Sequence, residues 1–320
     1  MLEEAKFKLC KLNQWYDTGN VEELEKSRIA FQSEIYVLDK NDESIYMFDN
    51  HVIKFFTSQK ITNNRVKRVE NLNGLVPKLS DYSKNFYKYE KAKGDLLSEC
   101  VNPKIFKDLL DWAKEKLWLE KEYESNFQDL CYDFYYKKTA DRINKYLGED
   151  LDCKSIINGI SVDPVEELLD MIDFKALSQG QPVGFHGDFI LDNILYSNNE
   201  FVLLDWRQDF SGCLSCGDIY YDLAKLNHNL TVNHAVIDRG WFDSSPENCS
   251  IFINSTNLEC KKILCEFTKK NNLDLGKIEM LTSIIWLNMA PLHEYPFNKF
   301  LFNYGKLNLH NSLRDTKYVK

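Results

Sequence analysis

The sequence contains no apolar run approaching the roughly 18 residues of a membrane span. Its longest, Ile284 to Leu292, is short and carries Asn288 and Pro291. The start is acidic, with Glu3 and Glu4, and lacks the basic opening and continuous apolar stretch of a secretory leader. There is no basic excess either: 40 Lys plus Arg against 49 Asp plus Glu leave a formal charge of −9 and an isoelectric point near 5.3. With no long basic run, a nucleic-acid partner held by phosphate neutralisation is disfavoured. Nine cysteines, an odd number without framework spacing, point to a reduced, cytoplasmic protein rather than a disulfide scaffold. Six histidines, with His228, His234, His293 and His310 scattered, do not make the paired cluster of a two-metal phosphoesterase. Internal repeats and low-complexity tracts are missing as well.

What is present suffices for a large folded unit. Of 320 residues, 44% are hydrophobic and 13% aromatic, enough for a core spread over two domains or one bilobal body. The character changes near residue 90. Before it, Glu34 to Leu38, Ser44 to Phe48, His51 to Phe56 and Phe86 to Tyr89 read as strands separated by turn-forming residues. After it, helical patterns dominate. Asn102-Pro103 offers a cap and a first-turn proline ahead of Phe106, Leu109, Ala113 and Leu117 on one face. Asp163-Pro164, with Glu166 following, predicts a helix through Leu177. Further helices are expected over 218–229, 257–270 and 277–290. The reading is an α+β, bilobal architecture: a small β-rich lobe over 1–90, and a larger helical lobe over 91–320 holding the apolar runs 183–185 and 201–204.

The chemistry concentrates in Gly184-Phe185-His186-Gly187-Asp188, Asn193 and, twelve residues later, Asp205-Trp206-Arg207. Phosphoryl transfer needs a carboxylate to orient and deprotonate the attacking hydroxyl, and hard oxygen ligands for Mg²⁺ on the nucleotide phosphates. Asp188 suits the first task; Asn193 and Asp205 suit the second. His186 reads as the residue that fixes the loop carrying Asp188, and Asp218 and Asp222, four apart on a helix, as its support.

On these residues, with Gly217-Asp218 and Asp222-Leu223-Ala224, the sequence resembles the aminoglycoside phosphotransferase and choline kinase-like superfamily, relatives of the protein kinases. The resemblance implies a protein kinase-like fold, a nucleotide-binding lobe over 1–90 and a catalytic and substrate lobe over 91–320. It implies Asp188 as catalytic base and Asn193 and Asp205 as Mg²⁺ ligands. It also asks for a strand lysine on the nucleotide phosphates, for which Lys54 in Val52-Ile53-Lys54-Phe55-Phe56 is the candidate, and a helix glutamate beside it, for which Glu70 is the nearest. Tyr87 to Tyr89 would form the interlobe hinge and meet the nucleotide base through backbone groups. Residues 30–34 depart from the family's phosphate-covering loop by having no glycine. That leaves the backbone N–H groups of Gln32 and Ser33 to approach phosphate.

For the acceptor, Arg207, Asp209, Trp286, His293, Glu294, Tyr295 and Phe297 are candidates. Aromatic faces beside carboxylates suit a quaternary amine; with Arg, Asn and Asp they suit a sugar equally. The expected function is transfer of the γ-phosphate of ATP or GTP, with Mg²⁺, to a hydroxyl of a sugar, amino alcohol or aminoglycoside. The alternative is an inactive kinase-like module that binds nucleotide or a partner protein. The lone pair Cys213 and Cys216 lacks the second pair of a zinc site, and its place after Asp205 predicts that it borders the substrate cleft. No membrane partner is implied.

Overall fold

The computed structural model describes residues 16, 19–31, 36–39, 42–72, 74–123, 126–314 and 316–320. Gln32 and Ser33, expected at the phosphates, lie outside the described residues. Helix α1 (Val21–Phe31) precedes a meander of β1 (Tyr36–Asp39), β2 (Glu43–Met47) and β3 (His51–Phe56). Helix α2 (Gln59–Asn71) follows, and β4 (Leu79–Tyr82) and β5 (Phe86–Glu90) complete a five-stranded antiparallel sheet in the order β1-β2-β3-β5-β4. Period-two alternation buries Val52, Lys54 and Phe56 on one face of β3. Ser58 starts α2 by accepting the Ile61 N–H at 3.4 Å.

The remainder is mainly helical. It begins with β6 (Asp95–Leu96), α3 (Leu97–Cys100), α4 (Pro103–Lys116), α5 (Phe127–Tyr132), a π-helical turn over Asp133–Lys137 and α6 (Lys138–Leu147). A hairpin of β7 (Ser155–Ile157) and β8 (Ile160–Val162) leads to α7 (Val165–Met171) and α8 (Phe174–Leu177). The site loops hang on β9 (Pro182–Val183), β10 (Ile194–Ser197), β11 (Glu200–Leu203) and β12 (Gly217–Asp218). Then come α9 (Ile219–Asn229), α10 (His234–Asp238), the pair β13 (Phe242–Asp243) and β14 (Ser250–Ile251), α11 (Ser255–Lys270), α12 (Leu275–Met289) and α13 (Phe297–Ser312).

As the sequence predicts, Asn102 caps α4 through the N–H groups of Lys104 and Ile105, and Phe106, Leu109 and Ala113 are buried. Helix α12 is apolar because it is buried nearly all round, packed between α9 and α13. Among the described residues no helix is long and apolar enough to cross a membrane.

The structure corrects two expectations. The single helix expected from 163 to 177 is two, α7 and α8. Asp163 pairs with Lys154 at 2.6 Å rather than capping, and Asp152 accepts the Val165 N–H instead at 2.7 Å. Ile172 is extended, bridging to Val319, and Asp173 restarts the helix by accepting the N–H groups of Lys175 and Ala176. The second correction concerns the hinge. Tyr87 and Tyr89 lie inside β5, which is paired on both edges by β3 and β4, so their backbone groups are engaged in the sheet. The link between the sheet and the helical body is 91–94, where β5 ends and β6 turns to pair with β10.

The two bodies are joined by an aromatic and a polar seam. Tyr87 stacks on Trp206 with centroids 5.8 Å apart, and the Trp206 indole donates to the Arg65 carbonyl at 2.9 Å. Such aromatic pairs add about 0.5–1.5 kcal/mol beyond the area they bury. The Leu203 N–H also donates to the Leu75 carbonyl at 2.7 Å. This seam sets the segment that begins at Asp205 directly beneath β3 and α2.

Candidate active site

The loop between β9 and β10 is held from below by one carboxylate. Asp222 of α9 accepts the N–H groups of His186 at 2.8 Å and Gly187 at 2.7 Å, and the Trp118 indole N–H at 3.2 Å. Burial pushes its carboxyl up to about 6, although all three of those donors favour the charged form. Asp218, at the head of the same helix, accepts from Tyr135 Oη at 2.7 Å, the Gln181 N–H at 3.0 Å and Lys277 Nζ at 3.2 Å. Gly187 is required by shape. Its φ is +87°, and a Cβ there would stand 2.6 Å from the Arg207 Cβ.

His186 joins this loop to the next. Its ring contacts the Leu204 carbonyl through Nε2 at 2.7 Å, while Nδ1 accepts the Asp188 N–H at 3.2 Å. The carbonyl can only accept, so Nε2 carries the proton. Burial lowers the imidazole to about 4, keeping it neutral near pH 7. The two loops are stitched further by Arg207 N–H to the His186 carbonyl and Leu204 N–H to the Asn193 carbonyl. Arg68 of α2 reaches across as well, donating to the carbonyls of Phe185, Arg207 and His186.

Asp188 emerges from this frame. Asn193 donates to its carbonyl at 3.0 Å and to its carboxylate at 3.2 Å, and Lys225 of α9 stands 2.6 Å away. Burial alone would raise the Asp188 carboxyl, but the Lys225 ammonium, with His186 and Arg207, outweighs it and holds the group well below the usual carboxylate range. Asp205 adopts φ +54°, a left-handed conformation that costs a non-glycine residue about 1–3 kcal/mol and recurs at functional sites. Its carboxylate contacts Lys54 and lies 3.8 Å from Arg65. Lys54 is 2% exposed and also 3.4 Å from Glu43. Among the described residues Lys54 meets the carboxylates of Glu43 of β2 and Asp205, while Glu70, expected beside it, is exposed on α2.

Asp188, Asp205 and Arg207 line one cavity of about 380 Å³. Sequence reasoning missed much of its wall: Arg65 of α2, Lys138 and Arg142 of α6, Lys225 and His228 of α9, and Asn288 of α12. A half-buried cation on an amphipathic helix looks like any solvated one, so no local signal marks them. Several expected acceptor residues lie elsewhere. Asp209 accepts from Asn64 and the Gly212 N–H. Trp286 is buried against Tyr304 and faces a different cavity of about 710 Å³. Glu294 and Tyr295 are exposed beyond the rim, Phe297 is buried against Phe242, and His293 alone of that run lines the site. Cys213 and Cys216 sit with sulfurs 3.5 Å apart, outside the cavity wall.

The donor set fits a hard cation. Asn193 spends its amide N–H₂ on Asp188, which leaves its carbonyl oxygen as a donor, and the Asp205 carboxylate already gathers cations.

Comparison with known proteins bears on the fold and on one stretch of the sequence. Residues 134–238 match the phosphotransferase enzyme family. Over 159 residues the chain is 30% identical to the "Probable aminoglycoside 3'-phosphotransferase" of Lactococcus lactis subsp. lactis (strain IL1403), covering 47% of this chain. That match spans about half, 55%, of the Lactococcus protein's length. Among solved structures, the streptomycin–ATP–APH(2'')-IIa ternary complex aligns with a TM-score of 0.52 and 15% identity, covering 86% of this chain and 91% of that one. An ethanolamine kinase of Plasmodium vivax aligns with a TM-score of 0.50 and 15% identity, covering 92% and 89%. The chain has the bilobal, kinase-like α+β fold of these structures, and its residues 134–238 match the phosphotransferase enzyme family.

Proposed function

We propose that the protein transfers the γ-phosphoryl group of a nucleoside triphosphate, ATP or GTP, to a hydroxyl of a small polar acceptor. The observation that carries this reading is the sharing of one cavity by an ionised Asp188 and an Asp205 in contact with Lys54. The sheet-bearing lobe, 1–90, would hold the nucleotide and the helical lobe, 91–320, the acceptor.

In this reading Asp188 is the base. Its carboxylate, kept ionised by Lys225 and oriented by Asn193, accepts the hydroxyl proton as the oxygen attacks in line. Lys54 is buried on β3, where its charge can offset the nucleotide phosphates. The carbonyl oxygen of Asn193 and the carboxylate of Asp205 would hold Mg²⁺, which when bound supplies charge neutralisation on the phosphates. Link 91–94, following Tyr87 and Tyr89 of β5, is the segment that would meet the nucleotide base, with Gln32 and Ser33 at the phosphates. His186 and Asp222 carry no proton in the reaction; they set the loop.

A nucleotide-consumption screen of the purified protein against sugars, amino alcohols and aminoglycosides tests the assignment, with Asp188→Ala as the blank. The folded variant should lose roughly 10²–10⁴-fold in turnover, the usual worth of a positioned acid–base group. An unchanged rate would reject it. Nucleotide binding with no product from any acceptor would favour the inactive, kinase-like binding module instead.

A further inference from the structure

The wall of the cavity is unusually basic for a chain of net charge −9. Among the described residues five cations line it: Arg65, Lys138, Arg142, Arg207 and Lys225. Only two of the described carboxylates do, and both are engaged, Asp188 by Lys225 and Asp205 by Lys54. Among the described residues, no carboxylate lies within ion-pair distance of Lys138, Arg142 or Arg207. Their contacts are neutral. Lys138 sits 4.0 Å over the Phe134 ring and 3.4 Å from the Tyr221 hydroxyl. Arg142 donates to the Asn288 carbonyl at 2.8 Å. The Arg207 guanidinium is 5.0 Å from the Phe134 centroid, and its Nε has no hydrogen-bond partner.

We infer that the acceptor is an anionic hydroxyl compound, a small polyol or sugar bearing a carboxylate or phosphate group, seated against Lys138, Arg142 and Arg207. This rests on the phosphotransferase reading and deepens it by naming the acceptor's charge. Arg142 and Arg207 repel one another across a half-buried space, and burial first, then Arg207, Arg142 and Lys225, drives the Lys138 ammonium well below its ordinary range, so that an anion beside it would restore its charge. An anion in their midst removes that repulsion and finds charge-assisted donors already in place. A polycationic aminoglycoside or a quaternary amine would add to it. His228, 4% exposed on the same wall, has an Nδ1 with no hydrogen-bond partner, a further polar atom open to a ligand hydroxyl. Lys138 and Arg142 lie one turn apart on α6 of the helical lobe, which in this reading holds the acceptor, whereas Lys54 and Arg65 come from β3 and α2 of the sheet-bearing lobe.

The test uses the full chain and acceptors matched except in charge: a hexose, its hexuronate, its monophosphate and its hexosamine, with an aminoglycoside added. Acceptor-free nucleotide hydrolysis, lost in Asp188→Ala, reports the phosphotransferase reading by itself. The hexuronate or the monophosphate should exceed the neutral hexose in kcat/KM by roughly 10–100-fold, the worth of hydrogen bonds to a charged group. The better of the two identifies which anion is read. Arg142→Met should abolish that preference by raising KM for the anionic member far more than for the hexose. Asp188-dependent turnover that is best with the hexose, hexosamine or aminoglycoside would overturn the inference. Should no acceptor turn over, thermal shift decides. Hexuronate or hexose phosphate raising the melting temperature of the parent, but not of the Lys138→Met, Arg142→Met double variant, supports the anion site, and no shift in either rejects it.

Discussion

The Lys225 ammonium stands 2.6 Å from the Asp188 carboxylate, both on the wall of the candidate active site. A base partly shielded from water and without such a partner would be raised by desolvation and lose its charge in milder acid. Here the partner keeps it ionised, so the acid limb of activity should lie low. Lys225→Met leaves burial unopposed by that charge. The acid limb of kcat/KM should then move to higher pH, and superimposable limbs would show that Lys225 does not set the base.

Arg68 ties α2 to the loops through carbonyls of Phe185, His186 and Arg207. Arg68→Met keeps much of the bulk but strands the carbonyls of Phe185 and Arg207, while that of His186 keeps the Arg207 N–H. Each unpaired carbonyl costs about 1–3 kcal/mol. The urea midpoint should fall with an unchanged slope, the signature of lost stability without a change in the surface exposed on unfolding.

Gly187 and Gly212 share φ +87°, yet a Cβ at Gly187 would meet Arg207 at 2.6 Å while one at Gly212 finds nothing within 4 Å. Gly212→Ala should therefore show backbone strain alone, about 1–2 kcal/mol. Gly187→Ala should add displacement of the loop and cost roughly 10²-fold in turnover, the effect of misplacing a reacting group by about an ångström. Equal activity losses in the two variants would mean the contact with Arg207 does not matter.

Acid stability carries the mark of His186. Its folded value of about 4 lies below the ordinary 6.5, so the unfolded chain binds the proton more readily between those values. This residue's stability contribution is present above pH 6.5 and is lost as pH falls towards 4, about 3 kcal/mol in all. Asp222 acts in the opposite sense: its carboxyl is raised to about 6, and its penalty is relieved on acidification. Chemical denaturation of His186→Asn and the parent should thus differ less at pH 4 than at pH 7. The gap should shrink by about 3 kcal/mol; a constant gap would assign His186 no titration.

The readable parts of this protein are those whose cause is local. Strand β3 follows from period-two burial, α4 from the Asn102 cap and its apolar face, and the motif from Asp188 to Asp205 from residues only two loops apart. The helix expected from 163 to 177 failed because Asp152 and Val319, both outside that segment, compete for its backbone groups. The hinge was misplaced because the pairing of β5 on both edges is a long-range fact.

Sequence alone determined which loops the proposed site draws on, since the base candidate and the oxygen donors sit on one short stretch whose spacing is its own signal. Tertiary structure decided what surrounds them. Lys138, Arg142, Lys225 and His228 belong to helices far apart in the chain, and each alone looks like an ordinary helix residue. Their convergence on Asp188 exists only once α6, α9 and α12 pack together, because packing removes the water that would otherwise screen those charges.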